Sequence, residues 1–335
     1  MPRIKKKAKD MDDIILDYLS YCHYKDLSKK TIKCYQVTLM LFAKYLKEEK
    51  NIENFEDVNK DVVEEYMQFT RDRGKYSYTS SEEITTKAAN RKDIGNKISN
   101  VTINNYLRNI KPFFTWLEES RVIKNNDVAR CKYIKTTRVS KDQLTDIEFN
   151  RLIKAIDYSK FHEFRDGVVI QLIMDTAMRI TECLSLTIND IDLARRTIVI
   201  PAHVTKNHKE RAVFYSQKMN RLLQRWLKFK DLMQESELLF PTLRSNGILQ
   251  ASNFEKNFKM YLKRANINKN ITPHVLRNNW GRRALLSGMP LVMVSKLLGH
   301  SDIKITQACY IDIQNEDLRR SYEKFSPLTN MSDIY

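Results

Sequence analysis

Two segments, LSKKTIKCY starting at Leu27 and ISNVTINNY starting at Ile98, share one pattern: an apolar residue, serine, two variable positions, threonine, isoleucine, two variable positions and tyrosine. A serine just ahead of apolar residues at helical spacing marks a helix start. The repeat therefore points to two similar helical hairpins in the first half of the chain. Around it, Met11, Ile14, Ile15, Tyr18, Leu19 and Cys22 recur at helical spacing, and Ile32, Tyr35, Leu39, Phe42 and Leu46 mark one buried face of a second helix capped by Ser28. A third helix, DVVEEYMQFTRDRG, ends in a glycine suited to a C-cap. The fourth runs on through Phe113, Phe114, Trp116 and Leu117.

The third and fourth helices are separated by KYSYTSSEEITTKAANRKDIGNKI, which is polar, Ser/Thr-rich and longer than a compact helix connection needs. It is expected to be a mobile loop or a small insertion, about residues 75–98. The sequence then turns polar and basic around ARCKYIKTTRVSKDQ, an interdomain linker. This divides the chain into a basic tail over 1–10, a helical domain over 11–130, a linker over 131–142 and a second domain over 143–335 with a C-terminal tail from about 318.

The second domain opens on LTDIEFNRLIKAI, where Thr145 and Glu148 are spaced as a capping box and Leu144 and Phe149 as the two ends of a hydrophobic staple. In DIDLARRTIVIPAHVTKNHKERAVFYS the β-branched alternation of TIVI predicts strands, with a tight turn at Asn207-His208. Beyond the hairpin the pattern is helical to the end. No βαβ repetition occurs, so a parallel α/β sheet is not expected. The expected fold is mainly α, with a helical N-terminal domain and a mixed α+β second domain holding a small antiparallel sheet.

Charge narrows the partner. Lys and Arg outnumber Asp and Glu by 58 to 41, a formal charge of +17, which favours a polyanion. No apolar run reaches the ~18 residues that a membrane span needs. The basic start MPRIKKKAKDMDD is not followed by an apolar stretch, so it is not a secretory signal and a cytoplasmic protein is expected. The five cysteines, Cys22, Cys34, Cys131, Cys183 and Cys309, form no CxxC pair and are expected to be reduced thiols, mostly in the core. Nucleic acid is the remaining polyanion.

Several residues in the second domain could handle a phosphate. Arg179 stands just before a helix carrying Ile180, Cys183, Leu184 and Leu186. Lys206 and Lys209 lie in the hairpin. His274 and Arg277 fall at i and i+3 in the first turn of a helix that starts with Pro273. In LLGHSDIKITQACY, Gly299 can end one helix and Ser301 can cap the next, between His300 and Tyr310. Taken singly, each has a plainer explanation in a solvated arginine, a surface turn, a capping histidine or one core tyrosine among 16. Together they supply what phosphate cleavage needs: a nucleophile, charge neutralisation and a proton for the leaving oxygen. Arginine forks bind phosphate oxygens bidentately and stay charged.

The succession A-x-R-I-x-E-x-L-x-L, T-K-N-H-K-E-R, H-x-L-R and L-G-H-S, with a tyrosine ten residues past that histidine, resembles the tyrosine recombinases, the integrase and Xer-like enzymes. The resemblance implies a SAM-like core-binding domain followed by a catalytic domain of the DNA breaking-rejoining fold. It matches Arg179, Lys206, His274, Arg277, His300 and Tyr310 to the catalytic set, with Tyr310 as nucleophile. Lys209 and Arg211 match flanking basic residues that are structural or DNA-contacting, and Glu182 matches a supporting acidic position. Ala177 stands where glycine is frequent, and Asn278-Asn279 where His-Thr is common.

By the same resemblance, Tyr310 attacks the scissile phosphate to give a 3′-phosphotyrosyl link and a free 5′-hydroxyl, and strands are exchanged through a Holliday junction. The cations replace divalent metal, so no cofactor is expected. The implied partners are double-stranded DNA sites, a homotetramer on two such sites and, left open, accessory directionality proteins. Nucleoid association in the cytoplasm follows from these. Two other classes share parts of this set, a type IB topoisomerase and a catalytically silent DNA-binding regulator. A zinc site from His203, His208, His274 and His300 is disfavoured, since neither HExxH nor paired-Cys spacing is present.

Overall fold

Serine side chains begin both repeated helices in the same way, and this local chemistry organises the first half of the chain. The computed structural model describes residues 9–137, 142–205 and 207–310 together with positions 319, 322, 326 and 328, the side chains of 82, 87 and 308–310 excepted. The chain divides into two units, Met1–Arg138 and Val139–Tyr335.

In the first unit, α1 (Met11–Tyr24) packs on α2 (Lys29–Lys50), followed by α3 (Lys60–Arg73), α4 (Glu82–Ala88) and α5 (Asn100–Glu119). Ser28 Oγ accepts the N–H of Thr31 at 3.2 Å, and Ser99 Oγ accepts that of Thr102 at 3.3 Å. The paired hydroxyls lie 2.8 Å apart in the first cap and 3.0 Å in the second. Each cap satisfies one orphan helix donor, worth about 1 kcal/mol. The isoleucines that follow, Ile32 and Ile103, are both buried, so the sequence repeat is also a repeat of structure. Between the two helices, Asn109 Nδ2 donates to Thr38 Oγ1 at 2.9 Å, and edge-on aromatic contacts such as Phe42–Tyr66 and Phe55–Phe113 fill the core.

The 75–98 stretch is folded rather than an open loop. It carries α4, and its base is closed where Lys75 N–H donates to Asn96 O at 2.9 Å and Gly95 N–H to Lys75 O at 2.8 Å. Gly74 ends α3 at φ 75°, and a Cβ there would lie 2.5 Å from Gly95 O, so only glycine lets the two backbone strands meet. Gly74→Ala is expected to cost about 2 kcal/mol or more, from the strained φ and the backbone clash. A thermal melt of the full chain checks this, and an unchanged midpoint would overturn it. Past α5, the Asn104 amide takes both backbone groups of Ile134, each bond 2.8 Å, so the chain as far as Ile134 stays fastened to this unit.

The second unit starts with α6 (Asp146–Lys154), whose capping box is formed: Glu148 N–H donates to Thr145 Oγ1 at 3.2 Å and Thr145 N–H to Glu148 Oε2 at 2.8 Å. Helix α7 (Phe161–Thr176) is buried over most of its surface, Glu163, Arg165 and Asp166 included, with Gln171, Met174 and Asp175 half-buried. Asp166 accepts from Arg165 on one oxygen and from Asn257 Nδ2 and Tyr261 Oη on the other, at 2.8–3.0 Å, so this buried carboxylate is fully engaged.

After α8 (Ile180–Leu184), three short antiparallel strands follow in the order β1 (Ile191–Asp192), β2 (Thr197–Ile200) and β3 (Arg211–Phe214). Ile198 pairs with Val213 and Ile200 with Arg211. The chain does turn beside Asn207-His208, where His208 N–H donates to Thr205 O at 3.3 Å, but the strand ladder does not reach this turn, since β2 ends at Ile200 and β3 begins at Arg211. Pro201 cannot donate to the ladder and stops β2 there. Within the connection the Thr205 hydroxyl accepts the Lys209 N–H at 3.0 Å.

Helices α9 (Gln217–Met233), α10 (Ala251–Arg264), α11 (Pro273–Leu286), α12 (Leu291–Leu298) and α13 (Ile303–Tyr310) complete the unit. The chain is not helical throughout this stretch: residues 234–250 are irregular, with isolated bridges Thr187↔Leu238 and Pro241↔Ile248. Trp226 Nε1 and Lys230 Nζ satisfy carbonyls of that segment, those of Leu239 and Ser236, each at 2.8 Å. Cys22, Cys131 and Cys183 are buried thiols and Cys34 is exposed, while the Cys309 side chain lies outside the described residues. So do residues 1–8 and most of the C-terminal tail. Among the described residues no helix is long and apolar enough to cross a membrane.

Candidate active site

Arg179 owes its place to the way α7 stops. Ala177 adopts φ 59°, the left-handed conformation that ends the helix and sends the chain into α8. Alanine there costs about 1–2 kcal/mol relative to glycine. Its buried methyl, packed with Val294 and Leu298, returns roughly 0.8 kcal/mol of that cost.

Arg179 is the N-cap of α8, and Glu182, at the third helical position, reaches back to it. Glu182 Oε2 accepts the Arg179 N–H at 2.8 Å, and Oε1 accepts Arg179 Nη1 at 2.7 Å. Arg211 on β3 grips the same carboxylate as a fork, Nη1 to Oε1 at 2.9 Å and Nη2 to Oε2 at 2.6 Å. Glu182 is fully buried. Burial alone would raise its carboxyl, but Arg211, and after it Arg179, outweigh that and hold it below the usual carboxylate range. The carboxylate thus clamps one arginine with another. The supporting place expected for Glu182 is what its contacts show, and Arg211 joins it in the architecture.

Arg277 arrives from α11. Thr272 caps that helix, Pro273 fills its first turn, and His274 lies exposed one turn before Arg277 on the same face. Arg277 is 2% exposed; its Nη1 donates to Ala177 O at 2.8 Å and its Nη2 to Leu298 O. Next door, Gly299 O accepts from Arg179 Nη2 at 3.3 Å and from Asn207 Nδ2 at 3.5 Å. Two arginines from distant parts of the sequence therefore rest on consecutive carbonyls of one turn. Gly299 shapes it, with φ 63° and no room for a side chain, since a Cβ would come 2.9 Å from Arg211 Nε.

His300 follows directly. Its Nδ1 lies 2.8 Å from Thr306 Oγ1. Burial, then the charges of Arg277, Arg179, His274 and Arg211, push its pKa down to about 4, so the ring is neutral near pH 7. In α13 the N–H of Lys304 is taken by Asp302 Oδ1 at 2.8 Å, so Asp302, and not Ser301, performs the cap.

Arg179, Arg277 and His300 are thus brought together, with His274 close enough for its charge to act on His300. Lys206 lies outside the described residues. The backbone of Tyr310 closes α13 one turn beyond Thr306, and its side chain also lies outside the description. Sequence reasoning did not single out Thr306, although its position four residues before Tyr310 was a usable signal. Among the described residues no group of three or more His, Cys, Asp or Glu could hold a metal ion. The arrangement is a cationic cradle with a neutral imidazole at its edge, suited to an oxyanion with several oxygens.

The phage integrase family model matches residues 142–317, and the model of the phage integrase N-terminal SAM-like domain matches residues 15–86. Tyrosine recombinase XerC of Bacillus subtilis (strain 168) is 27% identical over 294 residues, covering 86% of this chain and 95% of the relative. Tyrosine recombinase XerD of Staphylococcus haemolyticus (strain JCSC1435) is 28% identical over 325 residues, covering 95% and 99%. The fold is similar to that of the Tn1549 transposon integrase solved with transposon right end DNA, at a TM-score of 0.71 and 16% identity over 95% of this chain and 99% of that one. It is also similar to the XerH site-specific recombinase bound to difH substrate, at a TM-score of 0.67 and 17% identity over 97% and 100%.

Proposed function

Since the chain belongs to the phage integrase family, whose matched relatives are tyrosine recombinases, we propose that it is a site-specific DNA recombinase whose reaction centre is the cradle around the Leu298–Gly299 turn. The observation that carries the residue assignment is the meeting of Arg179 and Arg277 on adjacent carbonyls of that turn, beside a neutral His300. The topoisomerase and silent-regulator readings gain no support from these relatives.

Tyr310 Oη attacks the scissile phosphorus and displaces the 5′-oxygen, leaving the phosphate joined to tyrosine on its 3′ side. Arg179 and Arg277 neutralise the non-bridging oxygens, and His300 adds a hydrogen bond to them. The tyrosine proton passes toward His274, and Lys206 protonates the departing 5′-oxygen. A 5′-hydroxyl of the partner duplex then attacks the phosphotyrosine, so bond energy is conserved and the strands are exchanged through a Holliday junction. A free tyrosine titrates near pH 10 and the attack needs its oxygen deprotonated, which a strongly cationic surrounding favours. Position 310 supports this role, because it falls one turn after Thr306 on α13 and Thr306 touches His300. Four protomers on two DNA sites would complete the exchange, with accessory directionality proteins as further partners of the DNA-bound assembly in the cytoplasm.

Wild-type protein incubated with a nicked suicide substrate carrying its site should give a covalent protein–DNA adduct on denaturing electrophoresis. Nuclease and protease digestion should leave the nucleotide on the peptide containing Tyr310. An adduct on another peptide would overturn the assignment, and no adduct at all would overturn the mechanism.

A further inference from the structure

His300 poses a question that its neutrality creates. A neutral imidazole carries one N–H, and the partner of one ring nitrogen decides which of the two holds it. Here the partner of Nδ1 is the Thr306 hydroxyl at 2.8 Å. Thr306 is fully buried on α13. Helical serine and threonine hydroxyls commonly bond back to the carbonyl four residues earlier, as Thr176 does to Leu172 O and Ser185 to Thr181 O, both at 2.7 Å. Thr306 is bonded across to the histidine instead.

We propose that Thr306 is a positioning residue: its hydroxyl donates to His300 Nδ1, which puts the imidazole proton on Nε2 and makes that edge a hydrogen-bond donor to a phosphate oxygen. The opposite tautomer would have Nδ1–H donate to Thr306 Oγ1, and the buried hydroxyl would then have to find another acceptor or lose its bond. It would also turn a lone pair toward an anionic substrate. The groups facing His300 from the other elements are Arg179 ahead of α8, Arg211 on β3, and His274 and Arg277 on α11; together with burial they disfavour a second proton on the ring, so the placing of the single proton matters. The same bond joins the Gly299–His300 turn to the helix that ends at Tyr310, so it also sets how α13 docks on the cradle.

The donor role rests on the recombinase reading above, whereas the tautomer can be read without DNA. Full-length protein with 15N-labelled histidine is studied by two-bond 1H–15N correlation at neutral pH, with His300→Gln identifying the resonance. Wild type and Thr306→Ser should show a protonated Nε2 and an unprotonated Nδ1. Thr306→Val, which keeps the shape and loses the hydroxyl, should show mixed tautomers. In single-turnover cleavage of the suicide substrate, Thr306→Val should be slower by roughly tenfold or more at unchanged DNA affinity and melting temperature, and Thr306→Ser should recover most of the rate. A proton on Nδ1 in wild type, or a valine variant with wild-type tautomer and rate, would overturn the proposal. The expected tautomers without cleavage by any variant would uphold the hydrogen bond and sink the recombinase reading instead.

Discussion

Tyr310→Phe should form no covalent adduct on the suicide substrate while binding the same DNA with near wild-type affinity. The substitution removes one oxygen and leaves the cationic surface that attracts the phosphate backbone intact. Affinity for DNA comes largely from phosphate contacts and counterion release, to which a single phenol contributes little. In the proposed mechanism that oxygen forms the covalent intermediate, so cleavage is expected to depend wholly on it. A mobility shift and a denaturing gel on the same samples separate the two. Wild-type adduct levels from the phenylalanine variant would exclude Tyr310 as nucleophile.

Arg277→Ala has the second largest expected effect, and it acts on two properties. Loss of one preorganised donor to transition-state charge lowers cleavage by about 10²–10³-fold. Arg277 is also 2% exposed and bonded to Ala177 O and Leu298 O, so its removal leaves buried carbonyls without those donors. Each such loss costs about 1–3 kcal/mol, and a lower melting temperature should accompany the lost activity. Arg179→Ala provides the contrast. Its side chain is 26% exposed, and Arg211 still holds Glu182 when it is gone, so cleavage should fall with a smaller loss of stability. DNA affinity measured beside single-turnover rates checks both. Equal loss of binding and cleavage would make these arginines ordinary phosphate contacts.

Much of the fold is local chemistry and was legible for that reason. Ser28, Ser99 and Thr145 cap helices because a hydroxyl needs only an N–H three residues on. Where two neighbouring residues can do the same job, spacing does not choose, as with Ser301 and Asp302. Helix α7 escaped notice because a helix buried over most of its surface has no distinct apolar stripe to betray it. The turn expected at Asn207-His208 followed a local preference and a turn is there, but Pro201 ends the ladder after Ile200, so the paired strands stop well short of it. In the site, the ordered motifs nominated the side chains one by one. The fork of Arg211 on Glu182 and the bond from Thr306 to His300 join elements through tertiary contact, which spacing does not encode.

The turn at Leu298–Gly299 makes mutational independence impossible around it. Its two carbonyls hold the two arginines, its glycine leaves the space that Arg211 occupies, and its next residue is the histidine. A side chain added at Gly299 disturbs four other residues at once, and replacing either arginine alters the seat of the other. Substitutions here should combine non-additively in double-mutant cycles, by amounts typical of directly coupled residues. In a drifting lineage such positions change together or stay as they are, whereas the caps of α2 and α5 can vary one at a time.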